Sequence, residues 1–251
     1  MTALRMLHLY PAALGINGDA GNVLALRQRL HWRGLAAEVV LVEAGQPMPH
    51  EVDFVHIGSG PRSARDVLLA DVRERSDRLQ AWVDAGIPML GVGAGFQLMS
   101  RSIVSAEGAS QEAAGLVPVI IRDIADRTVG EVLGMPADGL RMAGYLNHAV
   151  QVERLAAEPF VALERGPSVA GVPGSAPHAD GVRVGNLVGT HLHGPVLPMN
   201  PSVADDLLSR ALARHGEQLP PADDRVTEAD ERARRARAAI AARLGRAGVA
   251  V

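Results

Sequence analysis

Met89-Leu90-Gly91-Val92-Gly93-Ala94-Gly95-Phe96-Gln97-Leu98 is the stretch on which the fold turns. A short apolar strand runs into a turn of small residues, and the turn runs into a helix. A nucleophile elbow is built this way. Its central residue takes a strained backbone conformation, so the neighbours must be small, and the following helix aims N–H groups and the positive end of its dipole at a reacting atom. The central position here is Gly93. Two blander readings fit as well: a structural tight turn, and a dinucleotide-binding turn. The second matches poorly, because the third glycine comes one residue early and no strand ending in an acid follows about 20 residues on.

Outward from this stretch, strand and helix patterns alternate. Met6 to Tyr10 reads as a buried first strand, Asn22 to Arg33 as a helix stopped by Gly34, and Ala37 to Val42 as a β-branched second strand. Asp53 to Ile57 is a third strand, Arg65 to Ala85 one long amphipathic helix, and Pro88 to Val92 the fourth strand. Such alternation predicts an α/β fold with a mostly parallel sheet flanked by helices. After Gly115 the pattern changes. Leu116 to Ile121, Val150 to Glu153, Phe160 to Leu163 and Val182 to Leu187 read as strands, and Pro167 to Asp180 as an exposed loop. Ser202 to His215 reads as a helix with Ser202 at its N-cap. Pro220-Pro221 then separates residues 1–219 from a C-terminal helical tail, 220–251, in which Thr227 to Asp230 resembles a capping box. The tail's acids lie near its start and its arginines toward its end, which suits the helix dipole and a solvated face; docking of a partner is the alternative.

Composition narrows the chemistry. The 251 residues, 47% of them hydrophobic, suffice for a sizeable core. A net charge of −3 gives no global pull toward nucleic acid or an anionic membrane. No apolar run approaches the ~18 residues of a transmembrane helix, and the N-terminus lacks signal-peptide features, so a cytoplasmic protein is expected. The chain has no cysteine, which removes disulfides, thiolate metal sites and any thiol nucleophile of its own. It has no lysine either, which removes Schiff-base and P-loop mechanisms.

Two further segments bear on chemistry. Gly189-Thr190-His191-Leu192-His193-Gly194-Pro195 places histidines at the end of a late strand, where loops form sites. On a strand, residues i and i+2 share a face, so His191 and His193 could pair on a metal; no third ligand is identifiable, and no metal is expected. Gly58-Ser59-Gly60-Pro61 follows a strand, and its small residues leave backbone N–H groups exposed, as an oxyanion hole requires.

In this order and spacing, the segments resemble the class I (triad-type) glutamine amidotransferases, a flavodoxin-like fold. The closer resemblance is to the GatD family, the glutaminase subunit of lipid II isoglutaminyl synthase, related to the amidotransferase domains of cobyric acid synthases. Leu9-Tyr10-Pro11 with Gly18 to Asn22 resembles the opening strand and glycine-rich loop, and Gly91 to Gln97 the elbow. Arg127-Thr128-Val129-Gly130-Glu131 and Gly144-Tyr145-Leu146-Asn147-His148 resemble two further family segments. Gly189 to Pro201 is the most specific match. The resemblance implies His193 as the catalytic histidine, Gly93 at the nucleophile position, and Ser59, Gly60 and Ala94 as the oxyanion hole. It implies that Arg127, Gln97, Asn147 and His148 hold L-glutamine. It also implies a Mur-ligase-like (MurT-type) subunit as heterodimer partner. That partner would receive ammonia and amidate the D-glutamate of lipid II, with ATP and Mg on the ligase and no cofactor in this subunit.

The chain departs from the family's pattern in three places. Gly93 stands where the family has its cysteine, and removing such a nucleophile costs on the order of 10⁶ in rate, so glutamine hydrolysis is expected to be lost. Leu146 replaces a glutamate, and Pro195 stands where a third triad acid would follow the histidine. Gly93 fits either an engineered substitution or a natural pseudo-amidotransferase that acts as a binding or regulatory subunit. A generic α/β nucleotide-binding domain is the remaining alternative.

Overall fold

The computed structural model describes residues 3–137, 139–167 and 178–251. The first half builds β1 (Leu4–Leu9), α1 (Ala20–Trp32), β2 (Ala37–Val42), β3 (Phe54–Ile57), α2 (Arg62–Glu74), α3 (Ser76–Asp84), β4 (Met89–Val92) and α4 (Ala94–Met99). Next come β5 (Ser100–Val104), β6 (Ser110–Glu112), β7 (Val117–Met135), β8 (Met142–Arg154), β9 (Val161–Arg165) and β10 (Ala179–Asp180). β11 (Val182–Val184), β12 (Leu187–Thr190), α5 (Val196–Met199), α6 (Pro201–Ala213) and α7 (Asp224–Arg243) close the chain.

The expected parallel sheet is present, in the order β11-β12-β4-β3-β1-β2, with only β11 antiparallel. Its inner strands β12, β4, β3 and β1 are largely buried on both faces, while the edge strand β2 is half-exposed, so the apolar residues of the inner strands divide by alternation. Leu7, Leu9, Val55 and Ile57 enter one core, shared with α2 and α3, while Leu4, Met6 and Phe54 enter the other, shared with α1 and α6. Each fully buried side chain of this kind contributes roughly 1.5–3 kcal/mol.

A second sheet was not expected from the sequence. Its order is β10-β9-β7-β5-β6, with β8 paired to β7, and only β5 and β7 run parallel. β7 and β8 are much longer than their sequence signals, because a register shift interrupts them: residues 124–127 of β7 stand opposite Ala149 alone. Polar residues cluster at that bulge and hide the continuity of the strand.

Other boundaries moved too. The single long helix over 65–85 is two helices, parted at Arg75, whose guanidinium turns back onto Asp71 and lies over the Tyr10 ring; no glycine or proline marks the break. The strand expected over 182–187 is a hairpin, and residues 179–180 of the expected loop form a buried strand; residues 168–177 lie outside the described ones. Ser202 lies inside α6, whose N-cap position is Asn200. The N-cap of α7 is Asp223, which accepts from the Val226 amide at 3.0 Å, so the Thr227 box is not used.

The C-terminal helix folds back onto the body. Arg29 of α1, itself buried, pairs with Asp230 at 2.5 Å and with Asp205 of α6 at 2.6 Å. Ile240 and Ala241 pack on Leu133 and Ala143, and Arg243 pairs with Glu131. The expected solvated face holds for Arg232, Arg234 and Arg235, which pair with Glu228 and Glu231; Arg237 is instead buried and donates to the Met199 carbonyl at 2.6 Å. No described helix is long and apolar enough to cross a membrane.

Candidate active site

Gly93 follows β4 and His193 follows the adjacent parallel strand β12, so both stand at the carboxyl end of one sheet. Open α/β sheets bind ligands at this edge. The Gly93 amide donates to Thr190 O at 2.8 Å, which locks the two strand ends together. Gly93 has φ +55° and ψ −114°, the left-handed conformation of an elbow, which costs a residue with a side chain about 1–3 kcal/mol. The chain behind it is equally constrained: a β-carbon on Gly95 would collide with the backbone of Ile57 and Gly58. A β-carbon built on Gly93 would lie 3.1 Å from His193 Cε1. The elbow reading therefore holds in geometry, and the pair expected to face each other does so.

β8 holds the His193 backbone: the His193 amide donates to Tyr145 O at 2.9 Å, and the Tyr145 amide donates to His193 O at 3.0 Å. Burial, reinforced by the neighbouring His191, lowers the His193 pKa to about 4, so its imidazole is neutral at physiological pH and able to accept a proton. Its Nδ1 is buried and has no hydrogen-bond partner among the described residues. A triad histidine normally gives that proton to a carboxylate; none of the described acids supplies one here.

All nine residues nominated from the sequence line a single cavity of about 430 Å³: Ser59, Gly60, Gly93, Ala94, Gln97, Arg127, Asn147, His148 and His193. The β7 bulge forms the outer wall, where Arg127 donates to Asn147 Oδ1 at 3.1 Å. Gly60 and Ala94 line the cavity, and their amides carry no hydrogen bond among the described residues. Ser59 departs from its expected role. Its N–H donates to Asp19 Oδ2 at 3.0 Å, so that amide cannot serve an oxyanion. The same carboxylate pairs with His56 at 2.8 Å and accepts from Asn22 at 2.9 Å.

Arg65, Asp123 and Arg62 also line the cavity, and sequence reasoning missed them. Arg65 is fully buried. It holds Asp123 through two bonds of 2.8 Å and donates to Gln97 Oε1 at 2.9 Å. A signal existed for both: Arg65 shares its helix face with Leu68, Leu69 and Val72, and Asp123 continues the inward alternation of Val119 and Ile121. A charge on an apolar stripe requires a buried partner.

The alternative of a His191–His193 pair on one strand face has no strand to carry it. β12 ends at Thr190, and the His191 ring lies between Asp180 and Gln97. His148, Asp180 and His191 do bring ligand-type atoms within 4.8 Å of one another. Hydrogen-bond directions nevertheless oppose a cation. Arg65 only donates, so Gln97 presents its oxygen to Arg65 and its amide N–H to His191 Nε2, at 3.2 Å. His191 must then carry its proton on Nδ1, aimed at Asp180 Oδ1 at 3.2 Å, where a metal would need a lone pair. Burial opposes ionisation of Asp180, but bonds from His191 and Thr190 outweigh it and hold its pKa well below the usual range. His148 lies over His191, ring centroids 4.4 Å apart, and burial together with His191 lowers its pKa to about 3. Neither His148 ring nitrogen makes a well-formed hydrogen bond; the nearby Val150 backbone offers only a weak attraction.

Residues 5–201 match the CobB/CobQ-like glutamine amidotransferase domain. The chain belongs to that family. The lipid II isoglutaminyl synthase (glutamine-hydrolyzing) subunit GatD of Staphylococcus aureus is 25% identical over 88% of this chain and 89% of its own length. The same subunit of Streptococcus pneumoniae is 23% identical over 90% of this chain and 88% of its own. A cobyric acid synthase of Cereibacter sphaeroides is 32% identical over 62% of this chain, which spans only 32% of that longer protein. Among solved structures, a glutamine amidotransferase crystal structure superposes with a TM-score of 0.54 at 17% identity, over 82% of this chain and 98% of that one. The PurLQS structure from Thermotoga maritima gives 0.53 at 13% identity, over 85% and 97%. These two likenesses concern the fold alone.

Proposed function

We propose that this chain is the glutamine-site subunit of a GatD-type amidotransferase that binds L-glutamine and does not hydrolyse it. One observation carries the reading: the nine nominated residues enclose a cavity of amino-acid size around Gly93, which has no side chain with which to attack. The amides of Gly60 and Ala94 face the side-chain amide of glutamine, and Arg127 with Asn147 holds its α-carboxylate end. Neutral His193 stands ready to accept a proton that no nucleophile supplies. Without cysteine anywhere in the chain, no other residue provides the thiol.

By analogy with the GatD relatives, the partner is a Mur-ligase-like (MurT-type) subunit in the cytoplasm. It carries ATP and Mg and amidates the D-glutamate of lipid II, while this subunit contributes binding or regulation. His193 Nδ1 supports such an assembly, because a partner carboxylate could supply the missing acceptor. Calorimetry with L-glutamine, on the chain alone and co-purified with a MurT-type ligase, tests the reading. Binding that weakens at least ten-fold in Arg127→Ala is expected, with no glutamate released above the buffer rate. Absence of binding in both preparations would overturn it.

A further inference from the structure

Ser59 occupies the volume that a side chain on Gly93 would need. A β-carbon at Gly93 would collide with Ser59 Oγ and would also lie 3.1 Å from Ser59 Cβ and 3.1 Å from His193 Cε1. Turning the serine rotamer removes only the first of these contacts. The backbone of Ser59 cannot retreat, because it is held at both ends: its N–H by Asp19, at 3.0 Å, and its carbonyl by the Ile16 amide, at 3.1 Å. Asp19 is itself buried and fixed by His56 and Asn22. The Ser59 hydroxyl makes no hydrogen bond to the described residues, and it lines the cavity.

We infer that Ser59 and Gly93 form one exchanged pair. The hydroxyl of Ser59 stands where a thiol would project and hydrogen-bonds the side-chain carboxamide of an intact α-amino-acid ligand, which the cavity then holds instead of attacking. This deepens the proposed function and, for the ligand contact, rests on it. It also means that the loss of hydrolysis is built into two positions. Restoring cysteine at 93 alone forces it against Ser59 and His193; removing the Ser59 side chain opens the space.

The chain has no native cysteine, so any introduced thiol is the only one and can be followed directly. Gly93→Cys, Ser59→Gly and the double variant are compared by thermal midpoint and by the rate of alkylation with iodoacetamide. Gly93→Cys is expected to lower the midpoint and to alkylate slowly. Adding Ser59→Gly recovers at least half of the lost midpoint and raises the alkylation rate at least ten-fold, a non-additive result that two independent sites would not give. A Gly93→Cys protein with the parent midpoint, or no recovery in the double variant, overturns the pairing. If Gly93→Cys does not fold, rescue of folding by Ser59→Gly reports the same coupling, and failure to rescue overturns it. The ligand contact is tested separately: Ser59→Ala should weaken L-glutamine binding about ten-fold in calorimetry, and unchanged affinity overturns that contact. Should the parent chain bind no glutamine at all, the proposed function falls while the thiol results still decide the pairing.

Discussion

Arg65 and His193 face the same cavity, yet their surroundings differ. On the Arg65 side every polar group has a partner, in an unbroken series from Asp180 through His191, Gln97 and Arg65 to Asp123. His193, and His148 stacked over His191, instead keep buried ring nitrogens without hydrogen-bond partners, and burial lowers both pKa values. The first wall is rigid because each donor there meets an acceptor in low dielectric. The second carries an energetic cost that a ligand or partner could relieve. The difference teaches where the fold supplies its own satisfaction and where it leaves chemistry open to a visitor.

Breaking the satisfied wall should have the largest effect. Arg65→Met leaves the Asp123 carboxylate, whose side chain is only 4% exposed, with Arg62 alone at 3.6 Å, and should destabilise the protein by about 3 kcal/mol in urea unfolding. Replacing Asp123 by Leu in the same protein should return most of that loss. A single variant within 1 kcal/mol of the parent, roughly the scale of a surface pair, would show that the series does not hold the wall.

Acid probes the unsatisfied wall. His148 and His193 have folded pKa values of about 3 and about 4, below the ~6.5 of an unfolded histidine. Their neutral forms therefore favour the native state fully above pH 6.5. As the pH falls from about 6.5 toward 4, the unfolded chain binds protons that the folded chain refuses, and stability declines. The expected loss is on the order of 2 kcal/mol per histidine by pH 4.5. His148→Asn should flatten the slope; a stability profile level between pH 7 and 4.5 would contradict the assignment. His8, also buried and lowered to about 4, adds to the same decline.

Far from both walls, Asp223→Ala removes the cap of α7 and should cost only about 1 kcal/mol, with the cavity unaffected. Unfolding with and without L-glutamine checks this, since the ligand-induced increment should match the parent's. A changed increment would mean that α7 reaches the site through its contacts with β7 and β8.

Much of the fold was legible because the parallel strands of the first half are short apolar runs bounded by glycines, and the elbow stretch carries its own geometry. The second sheet was not. Its long strands β7 and β8 are interrupted by the polar bulge that lines the cavity, so the feature that makes the site also hides the strands that build it. Asp180 was illegible for a related reason: it follows a Gly/Pro/Ser/Ala-rich segment that reads as loop, and only pairing with β9 turns it inward under His191.

By itself, the sequence determined the α/β class and the absence of any thiol, because the first is a local pattern and the second a count; the elbow at Gly93 and the histidine opposite it came from the family resemblance, among local readings that stayed open. The tertiary structure alone decided that Ser59 stands in the space of the missing side chain, that its amide is held by Asp19, and that Arg65 and Asp123 form one wall. Those facts depend on the close approach of segments far apart in the chain, and only packing fixes such distances.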